Sequence, residues 1–229
     1  MMNDSSLDFN FWPSFADIML SIVLVLVLIL FLISAVLTVG VDIGQIKQKQ
    51  DTMIQGLERA YNIKHQKIGD DLVLSFSEKN ERDVVIRTDL DKQLLMFSDH
   101  VLFPPDGAVL SENGRRLLAA VGMVIREQLV SLKEIQIQGH ADTDHSSKYP
   151  SNLELAASRA IEVFQFFQNT IGVDPSLCLM SATSFGEFKP FQRTAEDATF
   201  NRIKLADANQ DSLSKARNRR VEVLLFYRK

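Results

Sequence analysis

The chain has 229 residues, 46% hydrophobic and 24% charged, with 25 Lys and Arg against 29 Asp and Glu and a formal net charge of -4. This length fits one globular domain plus an additional segment, or two small domains, and the charge balance offers no general basic surface of the kind that displaces counterions from nucleic acid. The single cysteine, Cys178, excludes an internal disulfide scaffold and a Cys-rich zinc site, and the four histidines do not stand in HxxxH or HExxH spacing.

Residues 15–41 read FADIMLSIVLVLVLILFLISAVLTVGV and contain one charged residue, Asp17. At about 1.5 Å per residue, the uncharged run from Ile18 to Val41 spans about 36 Å, more than the bilayer core of about 30 Å. A cleaved signal peptide needs a basic leading region and a shorter apolar core. The tail MMNDSSLDFNFWPSF carries neither Lys nor Arg. The pattern therefore predicts a short tail over 1–14 and a retained transmembrane helix over 15–41, with Phe11 and Trp12 at an aromatic interface position. Asp17 has two open readings here. It is a capping acid stabilised by the helix dipole, or an acid that alternates between protonated and ionised forms, as a proton relay requires. Ser21, one turn on, is placed to hydrogen-bond with it. Lys47 and Lys49 follow the helix, so the positive-inside rule taken alone puts the C-terminal side in the cytoplasm.

In 42–66, Ile43, Ile46, Gln50, Met53, Leu57 and Ala60 alternate at spacings of three and four. This is the seam of a parallel two-stranded coiled coil. The same pattern suits one amphipathic helix packed on its own domain.

From 70 to 229 the pattern is that of a compact mixed domain. DLVLSF, DVVIRTDL, EIQIQG (134–139), LCLMSATSFG and RVEVLLFY read as strands. Ser111 caps a helix with Leu117, Leu118, Val121 and Ile125 on one face. A second helix covers 151–169, with Leu155, Ile161, Phe164 and Phe167 expected in the core. The fold class expected is a single-pass transmembrane helix plus an α/β sandwich of mixed sheet and helices.

The run GHADTDHSSKYPSNLELAASRA (139–160) resembles the signature of OmpA-like peptidoglycan-binding domains, especially their flagellar-stator MotB branch. VLFPPDGAVLSENG upstream, FGEFKP (185–190) and KARNRRVEV (215–223) continue the likeness over roughly 90–229. There are departures: Ala141 replaces the usual Thr, Ala157 stands near the usual Ser, and Pro190 to Lys215 is longer than usual, read here as an inserted loop with a short helix. The resemblance implies that Asp142 and Arg159 bind diaminopimelate in the peptidoglycan stem peptide. Arg159 would clamp a carboxylate bidentately, and Asp142 would meet the ammonium through its carboxylate or offer its backbone amide. By the same resemblance, Asn152 and Leu155 neighbour that pair, and Arg220 lies close to it. Asp144 is a competing acid, but the spacing from GHA favours Asp142.

WPSFADIML similarly resembles the opening of stator membrane helices, in which the Asp carries the translocated ion. This implies ion passage by Asp17, with Ser21 beside it, of H+ or Na+ and without a cofactor. The implied partner is a MotA-like membrane protein, a pentameric ring around a dimer of this chain, with no direct nucleic-acid contact. A wall-binding domain is periplasmic, so the N-terminus is expected in the cytoplasm and the helix in the bacterial inner membrane, against the lysine signal. The WPSFAD opening, the basic-free tail and the Leu/Val-rich helix look closer to the membrane B component of the Zorya anti-phage defence system, with a ZorA-like partner, than to flagellar MotB. Two other classes compete: a passive tether from inner membrane to wall, and a TolR- or ExbD-like transducer, which lacks the GHxD…NRRVE domain. The sequence has no nucleophile–base pair or phosphate loop that would mark an enzyme.

Overall fold

The structure is a computed structural model that describes residues 12–69, 71–74, 84–194, 197 and 199–228. It divides into two units, one ending at Gln45 and the other beginning at Ile46. Phe11 and the rest of the tail before it lie outside the described residues.

Helix α1 runs Trp12–Tyr61 and enters both units. In the first unit every side chain from Trp12 to Val41 is exposed. Its most apolar window has a mean hydropathy of 3.4. A continuous apolar surface of that kind is unfavourable in water, and the helix is long and apolar enough to cross a bilayer.

From Ile46 onward the same helix belongs to the folded domain. Ile46, Gln50, Met53, Ile54 and Leu57 are buried, while Ile43 and Ala60 are exposed. The Gln50 amide donates to the Asp89 and Lys92 carbonyls at 2.8 and 3.2 Å, and the Tyr61 hydroxyl donates to the Leu117 carbonyl. The seam expected for a second copy is thus spent on the chain's own domain, and the amphipathic-helix reading describes this region. The physical reason is local: the β-turn carbonyls offer Gln50 partners that an apolar dimer seam lacks. The domain accordingly begins at Ile46 rather than at 70. Met53 is fully buried, so Met53→Ala is expected to cost about 2–5 kcal/mol in denaturant unfolding of the protein. A cost near zero would mean that this part of the helix is not packed on the domain.

The domain is built on a seven-stranded sheet. Its strands are β1 (Gln66–Ile68), β2 (Asp71–Leu74), β3 (Val84–Thr88), β4 (Lys92–Ser98), β5 (Leu132–His140), β6 (Leu179–Gly186) and β7 (Arg220–Tyr227). Their spatial order is β1-β2-β3-β4-β7-β5-β6. β5 and β6 pair in parallel, and the other described pairs are antiparallel. Helices α2 (Asp99–Leu102), α3 (Glu112–Glu127) and α4 (Asn152–Gln165) follow, and α4 runs on into a π-helical turn, Phe166–Ile171. Short helices α5 (Arg202–Asp207) and α6 (Ser212–Asn218) fall in and just beyond the inserted segment, where one was expected.

Val221, Val223 and Leu225 of β7 and Ile135 and Ile137 of β5 share a core with Leu117, Leu118, Val121 and Ile125 of α3. Leu155 and Phe167 are buried as expected, but Ile161 is exposed and Val163 and Phe166 fill its place. Ser111 accepts from the Gly114 amide at 2.9 Å, the cap read from the sequence. Gly139 has a steric reason to be glycine: a Cβ there would lie 2.0 Å from the Ala156 carbonyl oxygen. That close approach seats the start of α4 on the end of β5, where the candidate site forms.

Candidate functional site

β5 ends at His140, and the loop that leads into α4 starts with Ala141, whose amide donates to the Gly186 carbonyl at 2.8 Å. Asp142 follows and is buried. Asn152, at the first turn of α4, fixes this loop from both sides. Its amide donates to the Asp142 carbonyl at 3.1 Å, and its carbonyl accepts from the Ser146 amide at 3.3 Å. The Asp144 amide donates to Asp142 Oδ1 at 3.0 Å.

Two turns along α4, Arg159 is only 2% exposed. Its Nε donates to the Gly107 carbonyl at 2.9 Å, and its guanidinium lies 5.3 Å from the centre of the Phe103 ring. Its Nη2 forms an ion pair with Asp99 Oδ1 at 3.0 Å. That contact falls short of hydrogen-bond geometry, so Asp99 Oδ1 has no hydrogen-bond donor among the described residues. A buried carboxylate oxygen in that state is a natural place for a ligand's N–H.

Asp142, Asn152, Leu155 and Arg159 line one cavity of about 520 Å³. The four residues read from the sequence as its core are therefore brought together. The structure adds Asp99, Phe103, Asp106 and Arg219 to the lining. Arg219 Nη1 donates to Asp142 Oδ2, and its Nε lies 3.5 Å from Asp99 Oδ2. Asp106, in the left-handed backbone region at φ 52°, accepts from the Ser146 and Ser147 hydroxyls, both at 2.6 Å, and from the Ser147 amide at 3.0 Å. Those hydrogen bonds hold its carboxyl down at about 2. Burial pushes the Asp99 carboxyl up, opposed by Arg159 and Arg219. Burial also lowers the Arg159 guanidinium, opposed by Asp99. A guanidinium stays charged even so.

Arg220 is not part of this site. In β7 it faces away from the core with Glu222, donating from Nε to Glu222 Oε1 at 2.7 Å and from Nη2 to the Lys189 carbonyl at 3.3 Å. Strand alternation carried the signal: with Val221 and Val223 inward, Arg220 must point to the other face. Its neighbour Arg219, just before the strand, lines the cavity instead. Asp144 also lines the cavity, but it is largely exposed and accepts from the Lys215 ammonium at 2.6 Å.

In the first unit, Asp17 lies beyond the first turn of α1, which holds no acid. The dipole and the orphan N–H groups act mainly in that turn, so the capping reading finds little support there. The Ser21 hydroxyl donates to the Asp17 backbone carbonyl at 2.9 Å rather than to its carboxylate. The expected side-chain link between the two residues is corrected accordingly.

Chemically, the cavity sets a fixed guanidinium beside two buried carboxylates, an arrangement suited to a ligand carrying both a carboxylate and an ammonium. Residues 102–204 match the model of the OmpA family. Among solved structures, the chain resembles a MotB-like protein from Desulfovibrio vulgaris, with TM-score 0.62 and 22% identity over 83% of this chain and 99% of that one. It also resembles the periplasmic domain of Helicobacter pylori MotB, with TM-score 0.55 and 18% identity over 70% of this chain and 90% of that one. Among curated proteins, the uncharacterized protein YtxE of Bacillus subtilis is 32% identical over 93 residues, which are 40% of this chain and 34% of that protein's length. The chain thus covers about a third of that relative. These likenesses establish the fold: a long apolar N-terminal helix followed by an OmpA/MotB-like α/β domain.

Proposed function

We propose that this chain is the wall-anchored B subunit of an ion-driven membrane motor. The observation that carries the reading is one cavity on which Asp142, Asn152, Leu155 and Arg159 converge, all four inside the stretch that matches the OmpA family. The same chain supplies an apolar helix whose membrane-length run holds a single acid, Asp17. The cavity binds the stem peptide of peptidoglycan and fixes the domain to the wall. The helix crosses the inner membrane with its N-terminus in the cytoplasm, and a MotA-like ring surrounds two copies of it. Protonation of Asp17 removes its charge and loosens its hold on the ring, and deprotonation on the other side restores the hold. Each charge crossing 100 mV yields about 2.3 kcal/mol, and the wall supplies the fixed point that torque requires.

The finer assignment is to anti-phage defence of the Zorya type, supported by the WPSFAD opening and the Leu/Val-rich helix; a flagellar stator or a passive tether is the competing assignment. Wall binding is tested with the detergent-solubilised protein and purified sacculi. The protein is expected to sediment with the sacculi and to be released by excess meso-diaminopimelic acid. Protein left in the supernatant would sink the proposal.

A further inference from the structure

The two arginines of the cavity are held in different ways. Arg159 is sealed: 2% exposed, stacked on Phe103, and held by Gly107 and Asp99. The Arg219 side chain is 38% exposed, and its guanidinium reaches both acids, Asp142 and Asp99. Its backbone is fixed independently of that reach. The Asp99 amide donates to the Arg219 carbonyl at 3.1 Å, and the Arg219 amide donates to the Lys215 carbonyl at 3.0 Å. The preceding Asn218 is buried and bonded to Phe191, Ala208 and Asn209. The Arg219 guanidinium can therefore leave the acids by side-chain rotation alone, with no loop opening, on the timescale of an exposed rotamer change. Upstream on α6, Lys215 pairs with Asp144 at the rim, so this element sets two cations against the acids of the cavity.

We infer that Arg219 is a displaceable internal counter-ion: it occupies, in the empty site, the place that a ligand's ammonium takes at Asp142 and Asp99. The inference rests on the wall-binding reading above. Ligand binding is then an exchange of one cation for another. An ammonium-bearing ligand displaces the guanidinium, and a dicarboxylate without an ammonium has nothing to exchange and enters poorly. The latch makes the site selective at the cost of affinity, because each binding event must first break the internal pairs.

The test is calorimetric titration of the detergent-solubilised full chain with meso-diaminopimelic acid and, separately, with pimelic acid, which has the two carboxylates and no ammonium. Wild type, Arg219→Gln and Arg159→Lys are compared, each checked for a cooperative thermal transition. Arg219→Gln is expected to bind diaminopimelic acid about two- to fivefold more tightly than wild type, the range for losing a partly exposed competing pair. Its unliganded melting temperature is expected to fall, and its ligand-induced rise to be larger. Wild type is expected to prefer diaminopimelic acid to pimelic acid. Weaker or unchanged binding by Arg219→Gln, with Arg159→Lys clearly impaired, overturns the counter-ion role and leaves Arg219 a plain contact or structural residue. Binding by Arg159→Lys equal to wild type, or no binding by any of the three, overturns the wall-binding reading itself, and this inference falls with it.

Discussion

Replacement of Arg159 by alanine is expected to abolish sedimentation with sacculi and to lower the stability of the domain by about 3–5 kcal/mol, the usual cost of breaking a buried pair from one side. Both effects come from the same burial. The guanidinium is inside the protein, and Asp99 shares that interior. Without Arg159, the Asp99 carboxylate is left with the longer contact to Arg219 among the described ion pairs, and the Gly107 carbonyl loses its donor. Arg159→Lys separates binding from folding. It keeps the charge near Asp99 but lacks the planar fork that grips a carboxylate through two parallel N–H donors. The lysine variant is therefore expected to fold with a smaller loss and still fail to sediment with sacculi. If it is folded and sediments like wild type, Arg159 is a structural residue and the ligand is held elsewhere.

The second large effect is expected at Asp17→Asn, which keeps the shape of the side chain and removes its ability to take up and release a proton. In cells carrying the native operon, phage plating efficiency is expected to return to that of cells without the operon, with the variant still present in the membrane at wild-type level. The argument is positional. Asp17 is the only charged residue in 15–41, it sits past the first turn of α1, and ionisable residues within membrane-spanning segments are rare and mark ion or proton paths. Full protection by the variant would reduce Asp17 to a structural acid and leave a wall-bound tether. If wild type gives no protection and a swimming assay shows the Asp17→Asn defect instead, the protein drives motility and the defence assignment is lost.

Much of this architecture is legible in the chain. The charge-free run, the alternation in EIQIQG and RVEVLLFY and the Ser111 cap each follow from local physics that tertiary packing does not overturn. Strand β4 was not legible. KQLLMFS has no β-branched residue and reads as helix-compatible, and it is a strand because β3 and β7 flank it on both sides. The amphipathic stripe of α1 was visible, but its partner was not, since the same spacing serves a dimer seam and a domain face. In the site, Asp142 and Arg159 could be read because a local motif carries both. Asp99 and Arg219 could not be paired with them by any short-range pattern, because they come from distant ends of β4 and β7 and meet only when those strands align. Arg220 is separable from the site by strand alternation, since Val221 and Val223 face the core.

The strand order has a consequence for how the domain comes into being. Among the described strands β7 comes last in sequence and lies between β4 and β5, so it joins the β1–β4 half of the sheet to the β5–β6 half. Until residues 220–227 have been synthesised and delivered, the earlier strands can form only two separate, half-covered fragments with raw edges. Closure of the sheet is therefore a late, long-range event. A ribosome stalled short of β7, or a nonsense codon there, would leave a chain with its long apolar helix already made and only unjoined fragments of the sheet behind it. Quality control would then hinge on the arrival of residues 220–227, and a protease that recognises open strand edges would find a chain without them at once.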